Sequence, residues 1–185
     1  MKENNNDEVL ILGLPNSGKS TLVNVLSGKK VSIIGSTPNT TRDKVSSLSS
    51  INDKAFLISD LPGYLEDPDE INEKFQNKLE NYINDADIIL FVIDVESRNY
   101  KGLDKLNNIL RKYKDKTIFT VFNKCENFKS YDLNKNLYKY IFEQDFYISS
   151  IHKIGTDELS NALSKKIKYS KINKLNNKQN SIVLI

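Results

Sequence analysis

The 185-residue sequence predicts an α/β fold in three layers, built on a mostly parallel, doubly wound sheet with one antiparallel edge strand. Short apolar runs alternate along the chain with segments whose apolar residues recur at helical spacing. A glycine-containing turn follows the first apolar run, and two later runs are joined by a short turn at Asn52-Asp53. Because alternating strands and helices favour a parallel sheet, the loops at the carboxyl ends of the strands are expected to bind the ligand.

In the first part of the chain, each apolar run is bounded by residues typical of turns. Residues 9–12 predict a buried strand and residues 21–26 an amphipathic helix that ends at Gly28. Residues 29–44 show no sustained period and are rich in Ser, Thr, Pro and Asn, which predicts a mobile loop. Residues 45–51 and 55–59 then predict a hairpin.

The second part of the chain continues the alternation. A helix is expected to begin near Asp67, where Pro68 and acidic residues follow a capping side chain, and its apolar face is formed by Ile71, Phe75, Leu79 and Tyr82. Residues 87–94 and 117–122 are continuous apolar runs, as in strands buried on both faces. Further elements are helices over residues 103–113, 133–140 and 159–167 and a short strand over residues 146–148.

Composition excludes several classes of protein. A single cysteine, Cys125, forms no internal disulfide, and the lone His152 argues against most metal clusters and a Ser-His-Asp triad. The net charge is +3, but six lysines and no acid follow Glu158, so the first 158 residues carry −3. The basic tail is interpreted as a solvated linker, the alternative being attraction to RNA or ribosomal phosphate. No basic patch interleaved with aromatic residues predicts direct RNA readout. Without an 18-residue apolar run or a signal peptide, a monomeric cytoplasmic protein is predicted, or an organellar matrix protein if a leader was removed.

The glycine-containing turn is a phosphate-binding P-loop with the pattern GxxxxGK[ST]. Its backbone N–H groups surround a phosphate and the following helix directs its positive N-terminus at it. Lys19 adds a point charge, and the Ser20 hydroxyl is a magnesium ligand. The predicted nucleotide-binding residues here are Gly13, Leu14, Pro15, Asn16, Ser17, Gly18, Lys19, Ser20 and Thr21.

A second motif, Asp60-Leu61-Pro62-Gly63, follows the second strand of the hairpin. The Asp60 carboxylate is expected to meet the magnesium ion, and the Gly63 N–H to bond the terminal phosphate. Loss of that phosphate would release the loop, so residues 36–44 and 60–67 are predicted to order with the triphosphate. Tyr64 follows Gly63 where a water-orienting glutamine is found in Ras-like proteins, and no general base is evident, so hydrolysis is expected to be slow.

The base is predicted to bind at two loops that follow later strands. Asn123-Lys124-Cys125-Glu126 resembles the guanine-binding NKxD motif, whose acid accepts hydrogen bonds that adenine cannot donate. Here the acid is Glu126, one methylene longer, so guanine selectivity depends on an adjustment of the loop; the alternative is an ordinary surface acid. Ser149, Ser150 and Ile151 follow the last strand and are expected to close on the base.

These motifs in this order resemble the TrmE-Era-EngA-YihA-Septin-like class of GTPases over residues 8–167. Residues 13–24, 37–43, 86–94 and 148–155 are most similar to the first G domain of the Der (EngA) family. The resemblance implies a P-loop G domain that hydrolyses GTP, and a parent protein that acts in assembly of the large ribosomal subunit. It implies that Thr41 ligates magnesium and that Asn16 holds a potassium ion, so Asn16, Lys19, Thr41 and Gly63 form the catalytic set. The alternative for Asn16 is a capped turn.

The resemblance also implies a domain plan. Residues 1–7 are expected to be disordered, residues 8–167 to form the G domain, and residues 168–180 to be a linker. Residues 181–185 resemble residues 8–12 and are expected to begin a truncated second G domain; the alternative is a strand added to the sheet edge. An Era-like GTPase, a non-hydrolysing nucleotide-binding module and an ATPase remain as alternatives for the whole chain.

Overall fold

The computed structural model describes residues 6–27, 32–34, 45–60, 73–126 and 135–168. The predictions for Thr41, Gly63, Tyr64 and Ile71, and for the side chain of Phe75, lie outside these residues, as do those for residues 1–5 and 169–185. Of the two segments predicted to order with the triphosphate, only Asp60 is described. None of the described helices is long and apolar enough to cross a membrane.

The described chain alternates strands and helices as predicted. The strands are β1 (Asp7–Leu12), β2 (Ser32–Ile34), β3 (Val45–Ile51), β4 (Lys54–Asp60), β5 (Ile88–Asp94), β6 (Thr117–Asn123) and β7 (Gln144–Tyr147). The helices are α1 (Lys19–Ser27), α2 (Glu73–Asp85), α3 (Tyr100–Leu110) and α4 (Thr156–Lys166), with a 3-10 helix at Lys135–Tyr140.

The strands form one seven-stranded sheet in the order β2-β3-β4-β1-β5-β6-β7. Strands β4, β1, β5, β6 and β7 pair in parallel, whereas β3 pairs antiparallel with both β2 and β4. The chain therefore places the carboxyl ends of β1, β4, β5 and β6 at one edge, where the P-loop, Asp60 and Asn123 follow their strands. This confirms the predicted α/β class and brings the motifs to one side of the molecule.

The core lies on both faces of the sheet, because successive residues of a strand point to opposite sides. In β1, Val9 and Ile11 pack with the cluster that includes α1 and α4, whereas Leu10 and Leu12 pack with the cluster that includes α2 and α3. Six of the seven residues of β5 are buried, as expected for a strand covered by helices on both faces. The sheet is thus the central layer of three.

Three local features differ from the sequence-based expectations. Residues 32–34, within the expected loop, pair with β3, so the antiparallel strand lies second from the edge. Of the segment expected to be a helix over residues 133–140, the described part, Lys135–Tyr140, is a 3-10 helix, and its two buried residues, Leu137 and Tyr140, lie one 3-10 turn apart. The last strand begins at Gln144, two residues earlier than predicted.

Candidate functional site

The P-loop connects β1 to α1. At two of its positions, there is no room for a side chain. A Cβ on Gly13 would lie 2.2 Å from the backbone oxygen of Val92 in β5. Asn16 and Gly18 both adopt positive φ, 62° and 88°, a conformation that turns backbone N–H groups inward. Pro15 and Asn16 are exposed at the tip of the loop, whereas Leu14 is buried beneath it. The result is an exposed turn that leads into the N-terminus of α1, where an anion is stabilised.

Lys19 begins α1 and folds back over the loop. Its Nζ donates to the backbone oxygen of Leu14 at 2.9 Å. Burial lowers the pKa of the Lys19 ammonium, while the Asp60 carboxylate opposes that shift. A partly desolvated cation in this position gains a strong electrostatic contact when a phosphate replaces the carbonyl.

The residues predicted to ligate magnesium meet across the sheet edge. The Ser20 hydroxyl donates to Oδ2 of Asp60 at 3.1 Å, although the two residues are 40 positions apart. Both offer hard oxygen donors, and Mg²⁺ is usually held by one or two protein oxygens together with water and phosphate oxygens. Among the described residues no group of three or more His, Cys, Asp or Glu side chains forms a metal site. With one oxygen donor each, Ser20 and Asp60 fit a magnesium ion whose other ligands are phosphate and water oxygens.

Asn123, at the end of β6, connects the base-binding loops to the P-loop. Its Nδ2 donates to the backbone oxygen of Ser17 at 2.8 Å. Its Oδ1 accepts both from the backbone N–H and from the hydroxyl of Ser150, each at 3.0 Å. The residue is only 2% exposed, and a Cβ on Gly18 would lie 2.2 Å from Nδ2. The side-chain amide is therefore fixed in one orientation beneath the phosphate loop.

Glu126 is held by the loop that follows β7. The hydroxyl of Ser149 donates to Oε1 of Glu126 at 2.7 Å, and the same hydroxyl oxygen accepts from the backbone N–H of His152 at 3.3 Å. The bond from Ser149 and a bond from the backbone N–H of Glu126 itself lower the pKa of this carboxyl. A side chain that bonds its own backbone is curled, so the added methylene need not extend the carboxylate outward. The carboxylate is thus ionised and positioned in the absence of a base.

Lys124 and Cys125 complete this segment. Lys124 has a φ of 68° and its Nζ lies 2.7 Å from Oδ2 of Asp94 at the end of β5. Cys125 is buried, its backbone N–H donates to the oxygen of Ile148 at 2.9 Å, and burial raises the pKa of its thiol to about 11. Cys125 is consequently a packing residue that supports the loop.

The loop after β7 closes on itself beside these residues. Ser149 and Ile154 pair in an antiparallel bridge, and Gly155 has a φ of 68°, where a Cβ would lie 2.4 Å from the oxygen of Tyr147. Ile151 and Ile154 are 69% and 50% exposed. Ile151 follows two residues after Ser149, which bonds Glu126, and its exposed apolar side chain offers a surface on which a planar base can lie.

The structure brings most of the predicted site residues to one edge of the sheet. Two further participants were not predicted from the sequence: Asp94, which holds Lys124, and the carbonyl of Ser17, which receives the Asn123 amide. The position of Asp94 at the end of a buried parallel strand was the available signal. Thr21 is half-buried in α1 directly after Ser20, and its role in nucleotide binding stays a prediction.

Comparison with known proteins gives a consistent picture. A family profile described as "50S ribosome-binding GTPase" matches residues 8–124. The chain is 37% identical over 159 residues to GTPase Der of Rickettsia prowazekii (strain Madrid E), covering 86% of this chain and 35% of that protein. It therefore spans about a third of the length of the curated relatives that it matches.

Solved structures show the same fold. Aquifex aeolicus Era, bound to GDP and aluminium fluoride, has a TM-score of 0.63 at 29% identity, covering 89% of this chain and 57% of that one. Era in complex with MgGDPNP and nucleotides 1506–1542 of 16S ribosomal RNA has a TM-score of 0.67 at 28% identity, covering 89% and 58%. These likenesses support the three-layer arrangement.

Proposed function

Because the chain belongs to the 50S ribosome-binding GTPase family, we propose that it is a switch that binds and hydrolyses GTP. The observation that carries the proposal is the Asn123 amide, which joins the P-loop at Ser17 to the base-binding loop at Ser150. Because one side chain contacts both loops, binding of the base and binding of the phosphates are expected to be coupled. The Der relatives support the finer assignment to a Der-type G domain.

The chemistry expected of these residues is mainly positioning and charge stabilisation. The P-loop backbone and Lys19 hold the outer phosphates, while Ser20 and Asp60 hold magnesium, which supplies charge to the phosphate oxygens when it is bound. Thr41 and Gly63 stay predicted as contacts of the terminal phosphate. No described residue at this site is a free general base, because the Glu126 carboxylate is engaged with Ser149, so slow intrinsic hydrolysis is expected.

Guanine selectivity is the first test. We would titrate the purified chain with fluorescent GTP, GDP and ATP in buffer that contains magnesium and potassium. GTP and GDP are expected to bind at least about a hundredfold more tightly than ATP. Adenine cannot donate the hydrogen bonds that the polar groups of the base site accept from guanine, so those groups would be left unpaired. Equal affinity for ATP would contradict the proposal and favour an ATPase, and tight binding without turnover would favour a non-hydrolysing module.

Potassium is proposed as a further cofactor. The resemblance of the P-loop to the Der family motivates the assignment to Asn16, and Asn16 is exposed at the tip of the loop with a positive φ. Replacing potassium chloride by sodium chloride is expected to slow GTP hydrolysis without changing GDP affinity. Equal rates of GTP hydrolysis in the two salts would show that Asn16 does not hold a potassium ion that promotes hydrolysis.

The proposed partner is the large ribosomal subunit or its RNA, reached by the parent protein. The family description supports the large subunit, and the Era complex with 16S RNA, a small-subunit RNA, supports contact with ribosomal RNA in general. Co-sedimentation of the chain with purified bacterial 50S subunits, in GTP analogue and in GDP, tests it; the expected result is nucleotide-dependent retention. A second P-loop downstream in the parent sequence is expected for a Der-type protein, whereas an RNA-binding module after one G domain would favour the Era-like alternative.

A further inference from the structure

Positive charge is concentrated in α3 and the turn after it. Residues 98–116 contain seven Lys or Arg and two acidic residues, whereas residues 60–97 contain two lysines and eleven acidic residues. A general excess of lysine in the source genome would raise the lysine content of both segments equally. The contrast between two adjacent segments therefore requires a local explanation.

The lysines of α3 share one face of the helix. Lys101 and Lys105 are four residues apart in α3, which places them on one side of the helix, and Lys112 lies in the turn just after it. The buried residues Leu103 and Leu106 lie on the opposite side of α3, against the core. Lys101 and Lys112 are exposed and Lys105 is partly exposed, so these lysines form a ridge along α3 and the turn that follows it.

The 3-10 helix extends this ridge. Nη2 of Arg111 donates to the backbone oxygens of Lys139 at 3.0 Å and Ile141 at 2.7 Å, which fixes the 3-10 helix beside the end of α3. Lys139 pairs with Asp104 of α3 at 2.7 Å, and both side chains are almost half exposed, so water screens this pair strongly. We define the basic face as Lys101, Lys105, Lys112, Lys135 and Lys139.

An exposed aromatic side chain lies on the same 3-10 helix as two of these lysines. Tyr138 is 43% exposed and stands between Lys135 and Lys139 on the 3-10 helix. The other exposed large hydrophobic residues among those described, Ile151 and Ile154, belong to the loop after β7. A membrane surface would require apolar residues to insert beside the lysines, whereas a nucleic acid requires cations for phosphates and an aromatic ring for an unpaired base.

We propose that the basic face binds RNA, with the lysines contacting successive phosphates and Tyr138 stacking on an unpaired base. The proposal rests on the ribosomal partner of the proposed function and names the surface that this partner uses. The sequence alone did not predict it, because the two segments that form the basic face are separated by β6 and become neighbours only through Arg111 and Asp104.

The test compares two triple variants of the full chain that lose the same charge. One replaces Lys101, Lys105 and Lys112 by Gln in the basic face, and the control replaces the exposed Lys165, Lys166 and Lys168 by Gln at the end of the described chain. The probes are a fluorescent RNA hairpin with an unpaired loop, measured by anisotropy across about 50 to 200 mM salt, and purified 50S subunits. Fluorescent GDP is titrated into the same samples.

Loss of three phosphate contacts is expected to reduce the slope of log K against log salt by about 2, and to weaken hairpin binding about fiftyfold at physiological salt. Replacing Tyr138 by Ala is expected to weaken binding about tenfold, and by Phe to leave it unchanged, because the ring provides the stacking surface. The control triple and GDP affinity are expected to match the unmodified chain.

Equal weakening by both triple variants would overturn the proposal, since it would show general attraction to positive charge. So would tighter binding to anionic phosphatidylglycerol vesicles than to the hairpin through the same lysines. Retention on 50S subunits that is unaffected by the basic-face triple would also overturn it while leaving the proposed function intact. If the chain binds RNA through this face but binds no guanine nucleotide, the proposed function is wrong and the RNA-binding surface is supported.

Discussion

The phosphate end and the base end of the site are prepared for the ligand in different ways. At the phosphate end, Lys19 bonds the Leu14 carbonyl and Ser20 bonds Asp60, contacts that must rearrange when phosphates and a metal ion arrive. At the base end, Asn123 and Glu126 are already held by Ser150 and Ser149.

The difference indicates where affinity and switching originate. A fixed network loses little conformational freedom when the base binds, so it favours tight and selective recognition. A phosphate end whose polar groups bond each other when free can adopt two arrangements, which a nucleotide with or without the terminal phosphate can bias differently. The Asn123 amide is the element through which the two ends contact each other.

Replacing Lys19 by Ala should have the largest effect, because it removes the cation of the phosphate end. Truncating one member of a buried charged contact costs about 2 to 5 kcal/mol, so fluorescent GTP is expected to bind at least about thirtyfold more weakly. A Lys165→Ala variant, which removes an exposed lysine of α4, serves as the control and should bind normally. Unchanged GTP affinity in the Lys19 variant would refute the assignment of the P-loop.

Replacing Gly18 by Ala tests the contact between the two ends. Alanine is strained at a φ of 88°, and its Cβ would displace the Asn123 amide, so the unfolding free energy should fall by about 2 to 3 kcal/mol and GDP should bind more weakly. Urea denaturation and GDP titration measure the two effects. Asn52→Ala is the matched control, because Asn52 also has a positive φ but lies in the β3–β4 turn. Alanine there should lower stability without changing GDP affinity. Equal GDP affinity in both variants would show that the contact between Asn123 and the phosphate loop does not contribute to GDP binding.

Replacing Ser150 by Ala removes one of the two bonds to Oδ1 of Asn123 while the backbone bond stays. Loss of one such bond costs about 1 kcal/mol, so GDP release is expected to be about fivefold faster, as measured by displacement of fluorescent GDP. Ser27→Ala is the control, because the Ser27 hydroxyl is buried in α1 and has no hydrogen-bond partner among the described residues. A release rate equal in the two variants would assign Ser150 no part in holding Asn123.

Replacing Glu126 by Asp should have the smallest effect. The curled glutamate bonds Ser149 and its own backbone, so shortening the side chain is expected to change GTP affinity by less than about threefold, well under 1 kcal/mol. Clearly tighter GTP binding would instead show that glutamate strains the base site. Glu126→Gln, which keeps the length and removes the charge, should lose the preference for guanine.

The Glu126 carboxyl also predicts a pH dependence. Its pKa is lowered from the ordinary 4.5 in the folded protein, so the stabilising contribution of its ionised form is complete above that value. The contribution is lost as the pH falls below 4.5 through the folded-state pKa. GTP-over-ATP selectivity is therefore expected to be constant from neutral pH to about pH 5. A decline beginning near pH 6 would indicate that another group controls base binding.

Local sequence patterns predicted most of the fold because the sheet is built from continuous apolar runs. The runs that became β1, β5 and β6 are buried on both faces, and their short length favours strands over helices, which are usually longer. The pattern failed where tertiary pairing decides the structure. Ser32–Ile34 carries no period of its own and is a strand because it pairs with β3.

The sequence by itself determined the class of fold, the phosphate-binding loop and the order of the motifs, because each depends on residues close together in the chain. Only the tertiary structure decided that the Asn123 amide joins the P-loop to the base loop, that Glu126 curls toward Ser149, and that α3 and the 3-10 helix form one basic face. These features join residues about 20 to more than 100 positions apart. Their partners come together only when parallel strands place their ends at one edge of the sheet and helices pack side by side upon it.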